Sequence, residues 1–169
     1  MNKNLLHQQA ELLISILPYM TKNTDFALHG GTAINFFVRD MPRLSVDIDL
    51  TYLRLSSREE TIQSISSQLK SIAKRISANM PPMLIEEKVD LSTGFISKLY
   101  VRKQNAIVKV EPNNVIRGSL FGPEERDLCR KAEEVFEKFV TAKTMAFSEL
   151  SVPRYAQPLT DNTREIYST

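Results

Sequence analysis

The chain has 169 residues, 42% of them hydrophobic and 25% charged, with a net charge of +2. That is the composition of a globular protein able to bury one real core, and the charge is too small by itself to point to nucleic acid. A single cysteine, Cys129, excludes a disulfide framework and suits a reducing cytoplasm, and with only His7 and His29 beside it there is no zinc spacing.

In chain order, Leu5–Leu17 reads as an amphipathic to mostly buried helix that ends near Pro18. Its apolar run, Leu12–Leu17, is too short to span a membrane. Its flanks do not form a signal peptide, with Lys3 the only preceding basic residue. Asp25–His29 reads as a short buried strand entering Gly30-Gly31, and Thr32–Val38 as the first turns of a helix lasting to about Arg39. Val46–Arg54 alternates apolar and polar residues at strand period. From Ser57 to Asn79 the apolar residues Ile62, Ile65, Leu69, Ile72 and Ile76 recur at helical steps, and Ser57 with Glu60 matches a capping box. Pro81-Pro82 closes that region, and strands at Leu84–Asp90, Phe95–Arg102 and Ala106–Glu111 follow as an antiparallel meander, the last stopped by Pro112. Cys129–Lys138 fits a helix or a helix-to-strand passage, with Cys129 as a small buried residue and not a nucleophile. The expected class is α+β, a mixed sheet with helices packed on it.

Two segments carry chemistry. Gly30 and Gly31 let the backbone turn sharply and leave no Cβ in a ligand's way, and free N–H groups at the start of a helix favour an anion such as a triphosphate. In Val46-Asp47-Ile48-Asp49-Leu50, residues two apart share a face, so both carboxylates line one side with Cα atoms about 6.5–7 Å apart. Like charges so placed call for a cation, and hard oxygen ligands suit Mg²⁺. A Ca²⁺ loop fails on spacing, with Tyr52 where glycine is required and Arg58 where glutamate is required. A P-loop fails because no Lys-Ser/Thr pair follows the glycines. Glu111, sharing a strand face with Lys109 and Ile107, is the candidate third carboxylate. Lys98, Arg102, Lys103 and Lys109, then Arg126, Arg130, Lys131, Lys138 and Lys143, are candidates for a positive rim that meets RNA phosphates.

Together, Gly-Gly-Thr-Ala at 30–33, Arg43-x-Ser45-x-Asp47-x-Asp49-Leu50 and a strand ending in Glu111 resemble the AbiEii/AbiGii-type nucleotidyltransferases. These are toxins of type IV toxin–antitoxin and abortive-infection (phage defence) systems with a DNA polymerase β-like fold. The resemblance covers roughly the first 150 residues. It implies Mg²⁺ on Asp47 and Asp49, the triphosphate of an NTP on Gly30, Gly31, Thr32 and Ser45, and Glu111 as third acid. Its further implications are an RNA acceptor, tRNA above others, a cognate antitoxin, and two Mg²⁺ ions shared between the attacking hydroxyl and the leaving pyrophosphate. Arg43 either orients the strand or reaches a phosphate.

The family pattern continues with a helix of the form Gly-Lys-x-x-Ala-x-x-x-Arg and then Arg-Asp-x-x-Asp, and neither is present in this chain. After Phe147-Ser148-Glu149-Leu150 comes Ser151-Val152-Pro153-Arg154-Tyr155-Ala156-Gln157-Pro158, whose prolines oppose a helix. Written as codons chosen among synonyms and regrouped from the last base of Pro153, the text of Arg154–Thr169 becomes Lys-Ile-Cys-Ala-Ala-Leu-Asp-Arg-Gln-His-Pro-Arg-Asp-Leu-Phe-Asp. Both motifs return in order. The expectation is a nucleotidyltransferase core over 1–150 and an out-of-frame, poorly ordered tail over 151–169. The alternative for function is a catalytically inactive remnant that binds nucleotide or a partner protein. A protein-modifying antitoxin-like transferase is disfavoured by the restored motifs.

Overall fold

The structure, a computed structural model, describes residues 3–151. The elements are α1 (Lys3–Thr21), β1 (Phe26–His29), α2 (Gly30–Ala33) running into a π-helical turn (Ile34–Val38), β2 (Asp47–Tyr52), α3 (Arg58–Asn79), β3 (Leu84–Val89), β4 (Ile96–Lys103), β5 (Ala106–Arg117), β6 (Glu124–Asp127), α4 (Arg130–Phe136), β7 (Thr141–Thr144) and α5 (Phe147–Leu150). Seven strands make one sheet in the order β3-β4-β5-β2-β1-β7-β6. It is mixed: β2 runs parallel to β5, β1 runs parallel to β7, and the remaining pairs are antiparallel. This is the α+β class that the alternation and helical periodicity imply, and β3-β4-β5 is the expected meander.

Alternation sets the two faces of the central strands. Ile48, Leu50, Val108 and Val110 are buried in one cluster with Leu13 and Leu17 of α1 and Leu69, Ile72 and Ile76 of α3. Each such side chain, once fully buried, contributes about 1.5–3 kcal/mol. Asp47, Asp49, Lys109 and Glu111 occupy the intervening positions and so point to the opposite face. None of the described helices is long and apolar enough to cross a membrane.

Four local expectations need correction. Helix α1 does not end near Pro18 but continues to Thr21, with Pro18 inside it. Met20 and Thr21 are buried, and Arg75 and the Thr24 hydroxyl take the Tyr19 and Met20 carbonyls, so tertiary contacts outweigh the lost N–H. Strand β5 does not stop at Pro112, which pairs with Leu50. The ladder to β4 runs out at Leu99–Val110, so Pro112 lies where β5 is paired on one side alone and a missing N–H is tolerated. The helix after the glycines begins at Gly30 and widens into a π turn, where Arg39 N–H reaches Ile34 O and the Phe36 carbonyl accepts from Cys129 N–H at 2.7 Å. The 129–138 segment is a short helix, and the strands on either side of it, β6 and β7, pair with each other.

The capping box at Ser57 is present in both directions: the Ser57 hydroxyl accepts from Glu60 N–H, and Ser57 N–H donates to the Glu60 carboxylate. Ser57→Ala should therefore lower the unfolding free energy by about 1 kcal/mol. Urea denaturation checks this, and an unchanged midpoint would show that the cap contributes nothing.

Candidate functional site

The site begins where β1 runs into the glycines. Thr32 is buried, and its hydroxyl donates to the Asp47 carbonyl. With its one proton committed there, the same oxygen receives the Ser45 hydroxyl. The structure thus places Thr32 and Ser45, both expected from sequence to hold phosphate, as the fastening between the glycine turn and the acid-bearing strand.

Gly30 has φ +72, a conformation that favours glycine, and a Cβ built on it would lie 2.7 Å from Asp49 Oδ2. The bare Cα makes room for the Asp49 carboxylate as well as for the turn. At Gly31 a Cβ would meet only Arg43 Nη2 at 3.6 Å and Asn35 Nδ2 at 3.8 Å. Arg43, exposed, makes no ion pair with any described residue, which disfavours the salt-bridge role.

The register across the sheet brings the acids together. His29 of β1 lies opposite Asp49 of β2, Asp49 opposite Glu111 of β5, and Asp47 opposite Lys109. Neighbouring strands are about 4.8 Å apart, so carboxylates directly opposite repel unless compensated. Compensation comes from the same face: Lys109 Nζ is 2.9 Å from Glu111 Oε2, and Lys98 Nζ is 3.0 Å from Glu111 Oε1. Lys109, then Lys98, holds the Glu111 carboxyl below its ordinary value. Glu111 in turn, with Asp47 and Asp49 behind it, raises the Lys109 ammonium above its own. A cavity of about 210 Å³ opens beside this row, lined by His29, Asp49, Leu50, Glu111, Pro112, Asn113 and Asn114.

The donors fit Mg²⁺ in one respect and not in another. Asp47 and Asp49 offer oxygen ligands from one strand face, and Mg²⁺ commonly takes one or two carboxylates and completes its shell with water and substrate phosphates. Glu111 has both oxygens held by lysines, and among the described residues no three acidic, histidine or cysteine side chains form a cage for a metal. The residues present therefore suit a cation carried in with a nucleotide better than one held by protein alone.

The expected basic rim is mostly engaged elsewhere. Lys98 and Lys109 serve Glu111, Arg102 pairs with Glu86, Arg126 with Glu124 and Arg130 with Glu134, while Lys131 and Lys143 donate to backbone carbonyls. Burial pushes the Cys129 thiol up, away from nucleophile character, as its sequence context suggested. Sequence reasoning missed the lysine clamp, although Lys109 two residues before Glu111 on one strand face was its signal. It also missed Asn35.

A glycine turn fastened to an acid-bearing strand of a mixed sheet is the frame of a nucleotidyltransferase. Residues 11–152 match the family model described as the nucleotidyl transferase AbiEii toxin of type IV toxin–antitoxin systems, and the chain belongs to that family. Among solved structures, a protein of H. pylori described as a candidate nucleotidyltransferase matches with a TM-score of 0.46 and 12% identity, over 89% of this chain and 57% of that one. The chain thus spans under two thirds of that protein's length. No curated protein matches it in sequence.

Gly30→Ala tests the close approach to Asp49. The positive φ and the crowded carboxylate should together lower the unfolding free energy by about 1–3 kcal/mol. Thermal unfolding measures it, and a variant as stable as the parent would contradict the tight junction.

Proposed function

We propose that the chain is a Mg²⁺-dependent nucleotidyltransferase that moves a nucleotide from an NTP to an RNA end, tRNA above other acceptors. In this reading it is the toxin of a type IV pair, with a cognate antitoxin, acting in the cytoplasm in defence against phage. The observation that supports this best is the placement of Asp47 and Asp49 on one strand face, beside Gly30-Gly31 and in register with Glu111.

In this reading Asp47 and Asp49 hold the metal. When bound, Mg²⁺ supplies positive charge to the phosphoryl oxygens and makes an attacking hydroxyl more acidic. The Gly30-Gly31 turn keeps Cβ atoms away from the polyphosphate, and Arg43 faces its charge. The Thr32 hydroxyl positions Ser45 and Asp47 against that turn without touching the substrate. Glu111 stands beside Asp49 at the cavity, where an acceptor hydroxyl would enter. Lys98 and Lys109 keep the carboxylate row from repelling itself apart before substrate arrives. The reaction forms one bond from the acceptor oxygen to the α-phosphorus and breaks the bond to the leaving pyrophosphate.

A second reading is favoured by the departure from the family pattern after Leu150. With the family's lysine and Arg-Asp-x-x-Asp motifs missing from the text, the chain binds Mg²⁺–NTP and turns it over weakly or not at all. A preorganised charged group at the leaving phosphate is typically worth ~10²–10³ in rate.

Two measurements separate the readings. Asp47→Ala and Asp49→Ala should abolish Mg²⁺-dependent NTP binding while the circular dichroism spectrum stays native; retained binding in either variant refutes the metal assignment. Incubation with radiolabelled NTPs and total tRNA should label RNA, and a version carrying the two motifs after Leu150 should label it at least ~10²-fold faster. Equal rates would show those motifs to be dispensable.

A further inference from the structure

Asn35 is 5% exposed, one of few buried polar side chains in the protein. Hydrogen bonds reach its backbone carbonyl, from Met41 N–H and the Cys129 thiol, but among the described residues none engages its amide nitrogen. A buried amide without a partner is costly, so a donor held this way needs another reason to be there. Its direction supplies one. Helical side chains tilt toward the N-terminus, so residue i+4 lies over residue i. Here Asn35 lies over Gly31, with Nδ2 at 3.8 Å from where a Cβ would stand. Arg43 Nη2 approaches the same point from the loop before β2, at 3.6 Å. The neutral donor and the cation thus meet over the one glycine whose φ is not left-handed and whose added Cβ would clash with nothing. Backbone geometry does not demand glycine at 31, whereas an open path to two donors does.

We propose that Asn35 and Arg43 form a polyphosphate site over Gly31, with Asn35 as a phosphate ligand at its floor. The anion is the polyphosphate chain of a nucleotide and not the RNA backbone, because the donors stand beside the turn that carries Gly30 and Asp49. The inference deepens the function proposed above by naming the groups that grip its substrate, yet an anion site at Gly31 can be tested without any transfer reaction.

The experiment is calorimetric titration of the chain with inorganic tripolyphosphate in the absence of metal, for the parent, Asn35→Leu, Asn35→Asp and Gly31→Ala. A lost hydrogen bond to a charged group corresponds to about tenfold or more in affinity. Each variant should lose at least ~10-fold. Gly31→Ala covers the event that a substitution at Asn35 disturbs folding, since its methyl makes only ordinary contacts. Without ligand, Asn35→Leu should melt no lower than the parent, because no described hydrogen bond to the amide is lost. Tripolyphosphate affinity unchanged in the Asn35 and Gly31 variants overturns the site, as does a parent that fails to bind tripolyphosphate. A drop in the melting temperature of ligand-free Asn35→Leu overturns it too, since that would make the amide structural. A short RNA competing more strongly than tripolyphosphate, and losing affinity in the same variants, would overturn the assignment to polyphosphate. Tripolyphosphate binding that depends on Asn35 in a chain that never transfers a nucleotide would sink the proposed function and leave this site standing.

Discussion

Carboxylates held on one face of neighbouring strands repel one another, and the arrangement of the site follows from how that repulsion is contained. The parallel pairing of β2 with β5 sets Asp49 against Glu111 and Asp47 against Lys109. Lys98 reaches the same glutamate from β4. The register is enforced from the other side of the sheet, where Ile48, Leu50, Val108 and Val110 are buried. A slip of one residue would carry the acids into that core and those four residues out of it. The apolar half of the alternation therefore sets where the charged half stands.

The second constraint is the junction between the glycine turn and β2. Two hydrogen bonds from one buried hydroxyl, Thr32, tie it to Ser45 and Asp47, and the missing Cβ of Gly30 admits the Asp49 carboxylate. Turn and strand are thereby one unit: moving either displaces the carboxylates and the open Gly31 surface together. The π turn that follows is pinned from outside by Cys129 and returns the chain toward Arg43 after presenting Asn35. Strain and unusual helix geometry are concentrated at this one corner of the fold, as is common where a ligand must be approached by backbone.

Much of this was legible in the residues. Alternation in Asp47–Leu50 and Ala106–Glu111, the helical steps of α3 and its capping box belong to local chemistry, and the structure has them. Pro18 and Pro112 misled because the rule for proline concerns an N–H whose need depends on neighbours elsewhere in the chain. The roles of Thr32 and Ser45 were obscured for a related reason: a hydroxyl beside glycines suits a phosphate or a neighbouring strand equally, and only tertiary pairing decides. Lys98 and Lys109 read as part of an RNA rim because their strand partner, Glu111, had been set aside for metal. The reading of 151–169 as out-of-frame text lies, beyond Ser151, outside the described residues.

The central claim is that a divalent cation enters between Asp47 and Asp49 with a nucleotide whose polyphosphate lies over Gly31. Anomalous diffraction from crystals grown with Mn²⁺ and a non-hydrolysable NTP analogue tests it most directly. The account predicts an anomalous peak within coordination distance of both carboxylates, with phosphate density between that peak and the Arg43 and Asn35 nitrogens. A peak at any other group of side chains, with Asp47 and Asp49 bare, would contradict it.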